Sequence, residues 1–190
     1  MPSPAPAALE FLKTRRSVTA KTLTAPGPNR AEISDLLAIA SRVPDHGKLV
    51  PWRFVVIDAA AQAAFREAAL ARLGALGQDE AALAKAAVPL SHGVPIVAVI
   101  VSPKPSAKIP LWEQEMAAAC VCLSLVNAGL AAGWGANWLS GPLCKDPDFL
   151  SETLGCAEGE WVPGFIHLGT AQIAPAERDR PEIGALTTWL

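Results

Sequence analysis

Residues 116–144 read MAAACVCLSLVNAGLAAGWGANWLSGPLC, without one charged side chain. A run of that length is long enough to cross a bilayer. Its content argues against a span. It carries Ser124, Asn127 and Asn137, it is rich in Ala and Gly rather than Leu and Ile, and it breaks at Gly133-Trp134-Gly135. The run predicts a helix over 111–132, buried nearly all round by its own domain and by a partner subunit. A strand near 136–139 follows it.

Outward from that helix the chain alternates helices with short apolar strands. Toward the N-terminus, PIVAVIV at 95–101 and FVVI at 54–57 read as buried strands. Helices are expected at 5–14, after Asn29 as N-cap with Glu32 three residues on, at 59–76 and at 79–87. Toward the C-terminus, Asp146-Pro147 opens a short helix that Gly155 closes, and 162–168 is a strand. The tail 171–190 carries Pro175 and Pro181 and ends apolar, which suits an arm laid on a partner. The strands are not spaced as regular βαβ units, so the expected class is α+β: one domain over 1–190 with a four- to five-stranded sheet.

Composition narrows the function. Of 190 residues 51% are hydrophobic and 18% charged, which excludes disorder as the main state. A net charge of −2 favours neither nucleic acid nor an anionic membrane. The first residues, MPSPAPAALEFLKTRRS, lack the apolar core of a signal peptide. Cys120, Cys122, Cys144 and Cys156 sit among apolar neighbours with no zinc-type pair, as small core residues in a reducing compartment do. The expectation is a cytoplasmic protein with no metal and no membrane span. Walker A, HExxH, GxSxG and a strand-to-helix GxGxxG are all missing, so a bound cofactor is expected to carry any chemistry.

Three polar clusters interrupt the apolar pattern. Arg15-Arg16-Ser17 offers two guanidinium forks and a hydroxyl for a phosphate, or simply the basic last turn of a helix. The run from Arg42 to Phe54, RVPDHGKLVPWRF, is a proline-bounded loop suited to holding a ligand, or a solvated connection. Residues 135–141, GANWLSG, combine small residues that admit a ring with a flat Trp, or form an ordinary strand edge and turn.

Together with PLWEQEM at 110–116 and GFIHLGT at 164–170, these clusters resemble the nitroreductase superfamily of FMN-dependent NAD(P)H oxidoreductases, and its small bacterial branch in particular. The resemblance spans nearly the whole chain. It implies a central, mostly antiparallel sheet flanked by helices and an intertwined homodimer with FMN at the interface. Each C-terminal arm, about 171–190, would add to the partner.

Carried over residue by residue, the resemblance puts Arg15, Arg16 and Ser17 on the FMN phosphate and the polar edge of the flavin. Arg42 and His46 would reach the same FMN from the other subunit, and Trp138, Leu139 and Ser140 would lie against its ring. The nicotinamide nucleotide would fall on the helix end: Ala128, Gly129, Leu130, Ala131, Ala132 and Gly133. No side chain is assigned as an obligatory general acid, and Arg16 or Lys48 would place positive charge near the reduced ring. The Ser, Asn and Gln usual in the family's larger members are replaced here by Asp45, Lys48 and Val50, and the Asp45-His46 pair is what the small branch carries. The basic residue that often follows the last strand is replaced by Ala174 and Pro175, leaving Arg178 or Arg180 to substitute. The implied reaction is ping-pong hydride transfer to nitroaromatics, quinones or related acceptors, with loose selectivity because the insertions that roof larger members are missing. The competing implications are a non-catalytic FMN-binding dimer and another flavin reaction on the same fold.

Overall fold

The sheet is assembled on its last strand. In the computed structural model, which describes residues 3–190, β5 (Trp161–Ala171) pairs antiparallel with three others. It meets β3 (Ile96–Val101) over its first half, β4 (Gly135–Leu139) over its second half, and β1 (Leu23–Thr24) at Thr170 and Ala171. β2 (Trp52–Ile57) lies outside β3, also antiparallel. The five strands confirm the α+β class and the antiparallel expectation.

Strand residues alternate between two faces. Val97, Val99, Ile166 and Leu168 point to one, where α2 (Arg30–Ala40) and α5 (Leu111–Ala131) cover them. Ile96, Ala98, Ile100 and Phe165 point to the other, under α3 (Gln62–Ala75) and α6 (Pro147–Leu154). Helices on both sides explain why β3 is apolar at every position rather than at alternate ones. Gly129 lets α5 settle on the sheet: a β-carbon there would come within 2.7 Å of Leu168. The lack of charge in α5 from Met116 on is therefore explained by packing on one side, where Ala118, Val121, Cys122 and Leu125 are buried. Its other side leaves Trp112, Met116 and Leu123 exposed.

The caps follow the sequence. Asn29 Oδ1 accepts from the Ala31 and Glu32 amides, and Glu32 accepts from the Asn29 amide at 2.8 Å. Asp146 caps α6 through the Phe149 amide, and Gly155 ends that helix at φ +59°. The third helix starts at Gln62 rather than near 59, because Asp58 accepts from the Ala60 and Ala61 amides and holds a turn first. β1 was not anticipated: two residues carry no periodicity, and only β5 makes them a strand. The two remaining helices are α1 (Pro6–Thr14), without a buried residue, and α4 (Glu80–Ala87). Beyond β5 the tail makes one short turn at Ile183–Leu186 and leaves Ile173, Ile183, Leu186 and Trp189 exposed on the chain.

Candidate functional site

α1 ends when Arg15 turns extended, its amide still donating to the Phe11 carbonyl. The chain then runs along the open edge of β4. The Val18 amide donates to Ala136 O at 3.0 Å, and Asn137 Nδ2 donates to Val18 O at 2.6 Å. These two bonds fix Arg15, Arg16 and Ser17 beside β4. Arg15 Nη2 donates to Ser17 Oγ at 3.1 Å.

The C-terminal segment comes to the same place. Glu177 Oε1 accepts from Arg16 Nη1 and from Arg180 Nη2, each at 2.8 Å. Arg15 is held below the usual arginine range by burial first, and then by Arg180, Arg16 and Arg178. Its Nε is buried with no hydrogen-bond partner. Four guanidinium groups thus gather where a single carboxylate pairs with only two of them, Arg16 and Arg180. That excess of forked donors suits an anion of more than one charge, a phosphate monoester above all. Sequence reading offered Arg178 or Arg180; the structure brings both.

A cleft of about 900 Å³ opens further along the same segment, lined from Thr19 onward and by none of the arginines. Leu139, Ser140 and Gly141 form one wall, with Phe65 and Leu73 of α3 and Lys85 of α4 opposite. Thr19 and Lys21 line it from the segment that begins at the arginines, and Phe165 and His167 of β5 form its base. His167 stands opposite Asn137 in the β4–β5 register. It is 2% exposed, and its Nδ1 has no partner. Burial, helped by nearby His92, pushes its pKa down to about 4, so the ring is neutral at ordinary pH.

The predicted trio on β4 divides. Leu139 and Ser140 line the cleft, whereas strand alternation turns Trp138 to the α5 face. There its indole N–H donates to Pro163 O at 2.9 Å and the ring rests on Gly164.

Arg42 and His46 do not line the cleft of their own chain. Both are exposed in the connection between α2 and β2, and His46 Nδ1 lies 2.7 Å from Glu113 Oε2. This loop is tightly wound: Gly47, Lys48 and Val50 all have positive φ, at 71°, 54° and 49°. Asp45 holds it, accepting from the Leu49 and Val50 amides at 3.2 and 2.8 Å. Positive φ in a β-branched residue is costly, and the carboxylate offsets it. In the stretch 128–133, Ala128 and Gly129 are buried and Ala131, Ala132 and Gly133 are exposed. They sit at a helix C-terminus, whose carbonyls favour cations over a diphosphate.

A family model described as the nitroreductase family matches residues 12–170. The chain belongs to the nitroreductase family. The match takes in the arginine pair and the β4 wall. Among nitroreductase relatives, the chain is 36% identical over 168 residues to the Escherichia coli K12 protein named "Putative NAD(P)H nitroreductase YdjA", covering 87% of this chain and 89% of that one. Its fold matches that of a nitroreductase-like protein from Bacillus cereus, with a TM-score of 0.78 at 22% identity over 100% of this chain and 98% of that one. It also matches a nitroreductase from Bacteroides fragilis solved with bound FMN, with a TM-score of 0.71 at 21% identity over 96% and 98% of the two chains.

Sequence reading did not single out Lys21, Gln78, Lys85 or His167 as cleft residues. The lysines and Gln78 sit in polar or Ala-rich stretches without a motif. His167 was inside a quoted motif, but only the β4–β5 register shows that it meets the cleft.

Proposed function

We propose that this nitroreductase-family chain is an FMN-dependent NAD(P)H oxidoreductase that reduces electron-poor acceptors such as nitroaromatics and quinones. The observation that carries the reading is the four-guanidinium cluster on the segment that leads into an apolar cleft, with the buried Arg15 Nε still lacking a partner. FMN has the matching parts: a dianionic phosphate and a flat ring. When bound, FMN supplies a two-electron carrier that takes a hydride from NAD(P)H and yields it to an acceptor.

The protein's own work is positional. Arg15, Arg16 and Ser17, with Arg178 and Arg180, would hold the phosphate. Leu139, Ser140 and Phe165 would bound the ring and keep water from it. Thr19 and Val18 link the two subsites, since the segment that leaves the arginines is pinned to β4 within three residues. Because no carboxylate lines the cleft, nothing there repels an electron-rich ring.

The same reading includes a homodimer. The exposed Leu9 and Leu12 of α1, Trp112 and Met116 of α5, and the tail residues Ile183, Leu186 and Trp189 supply apolar surface for it. In that assembly Arg42 and His46 would act on the partner's site. The nicotinamide nucleotide would contact the α5 end at 131–133 by shape rather than charge.

The test is the visible spectrum of the purified protein before and after anaerobic NADPH or NADH. Flavin bands that bleach are the expected result. Bands that persist with both donors would leave a flavin-binding protein without the reductase activity. A colourless protein that takes up no added FMN would overturn the reading.

A further inference from the structure

The cleft has a charge pattern that its shape does not require. Its walls are apolar, with Phe65, Leu73, Leu139 and Phe165. The ionisable side chains that reach it are Lys21, Lys85 and His167, and no Asp or Glu lines it. Neither lysine forms an ion pair among the described residues, whereas Arg16 and Arg180 already share Glu177. At the base, His167 is buried with an unpartnered Nδ1. An anionic occupant would therefore meet two unneutralised ammonium groups and no acidic repulsion. A cationic one would meet the reverse.

We propose that the cleft selects acceptors carrying an anionic group on a flat apolar body, aromatic carboxylates being the simplest class, and that Lys21 and Lys85 read the charge. The proposal rests on the reading that the flavin ring lies against Leu139 and Phe165 in this cleft, and adds that the acceptor stacks on that ring within the same cleft. It narrows the loose selectivity expected of a chain this short. Both lysines are exposed, so the attraction is screened by salt and two such contacts amount to about a tenfold preference at low ionic strength.

Benzoate and benzamide test this, because they share ring and size and differ in charge. Calorimetric titration of each into the purified protein at low salt should show benzoate binding about tenfold tighter, with the gap closing at high salt. The double variant Lys21→Gln/Lys85→Gln should lose the gap while still binding benzamide as the unaltered chain does. Equal binding of the two probes by the unaltered chain overturns the proposal. So does a benzoate preference that survives in the double variant. Bleaching of the flavin by NADPH in the same samples tests the oxidoreductase reading separately, since inert probes report binding whether or not electrons move.

Discussion

Trp138 on β4 and Gly164 on β5 fit each other so closely that a β-carbon on the glycine would collide with the indole. The neighbouring Pro163 carbonyl takes the indole N–H at 2.9 Å, so the ring is fixed at two points. This contact sets how β4 lies, and with it the direction of Leu139 and Ser140 into the cleft. Gly164→Ala should destabilise the protein by about 1–3 kcal/mol through overpacking, read from urea unfolding. It should also weaken flavin binding, because β4 must shift. A variant with unchanged stability would mean that the indole has room to move.

The arginine cluster predicts a difference between two ligands. Arg15→Ala should weaken FMN binding about 10- to 100-fold, the range for losing a hydrogen bond to a charged group. Riboflavin lacks the phosphate, and its affinity should stay the same. Fluorescence titration of both flavins checks this. An equal loss for both would move Arg15 from the phosphate to the ring.

Asp146 serves two masters. Its carboxylate accepts from Arg72 Nε at 2.7 Å and Nη2 at 2.8 Å, and it caps α6 through the Phe149 amide at 2.8 Å. The bond to Arg72 holds its pKa below the usual carboxylate range. Asp146→Ala removes a cap and one of the two carboxylates on Arg72, which keeps Asp148 at 2.7 Å, so a loss of about 1–2 kcal/mol, that of the cap, is expected. Asp146→Asn keeps an acceptor for the cap and should lose less. Thermal unfolding of the two variants ranks them.

His167 gives the protein an acid-sensitive limb. Folded, the imidazole keeps a pKa of about 4 because it is buried, against 6.5 when free. Above that ordinary value neither state binds the proton. As pH falls toward 4, the unfolded chain takes a proton that the folded chain refuses, and stability drops by up to about 3 kcal/mol. Below it both are protonated and the loss stops growing. Glu160 acts lower down. Its hydrogen bond from Arg53 brings its pKa to about 2, and that stabilisation is lost as pH falls from the ordinary glutamate value of 4.5. His167→Gln should flatten the upper limb and leave the lower one. Denaturant midpoints measured from neutral pH down to about pH 2 would show both limbs.

Much of this was written in local sequence. The Asn29 and Asp146 caps, the apolar run of β3 and the stretch of α5 from Met116 on, which carries no charge, each give their own signal within a few residues. The basic cluster was legible for the same reason, since Arg15-Arg16-Ser17 is contiguous. What stayed hidden depends on pairing. Leu23-Thr24 is a strand only because β5 reaches Thr170 and Ala171. The division of Trp138 from Leu139 follows from which face each helix covers. Lys85 and His167 lie far apart in sequence, and only the packing of α4 on α3, whose Phe65 meets Phe165 of β5, brings them to one cleft.

The dependence of β1, β3 and β4 on β5 has a consequence for how the protein is made. Until Trp161–Ala171 leaves the ribosome, β4 has no neighbour to pair with, and β2 with β3 can form only a two-stranded ribbon. The arginines emerge among the first residues, yet Glu177 and Arg180, which they meet, are among the last. On the proposed reading, capture of FMN would then wait for translation to be nearly finished. A chain cut short before residue 161 would be unable to hold flavin, however much of the arginine motif it carried.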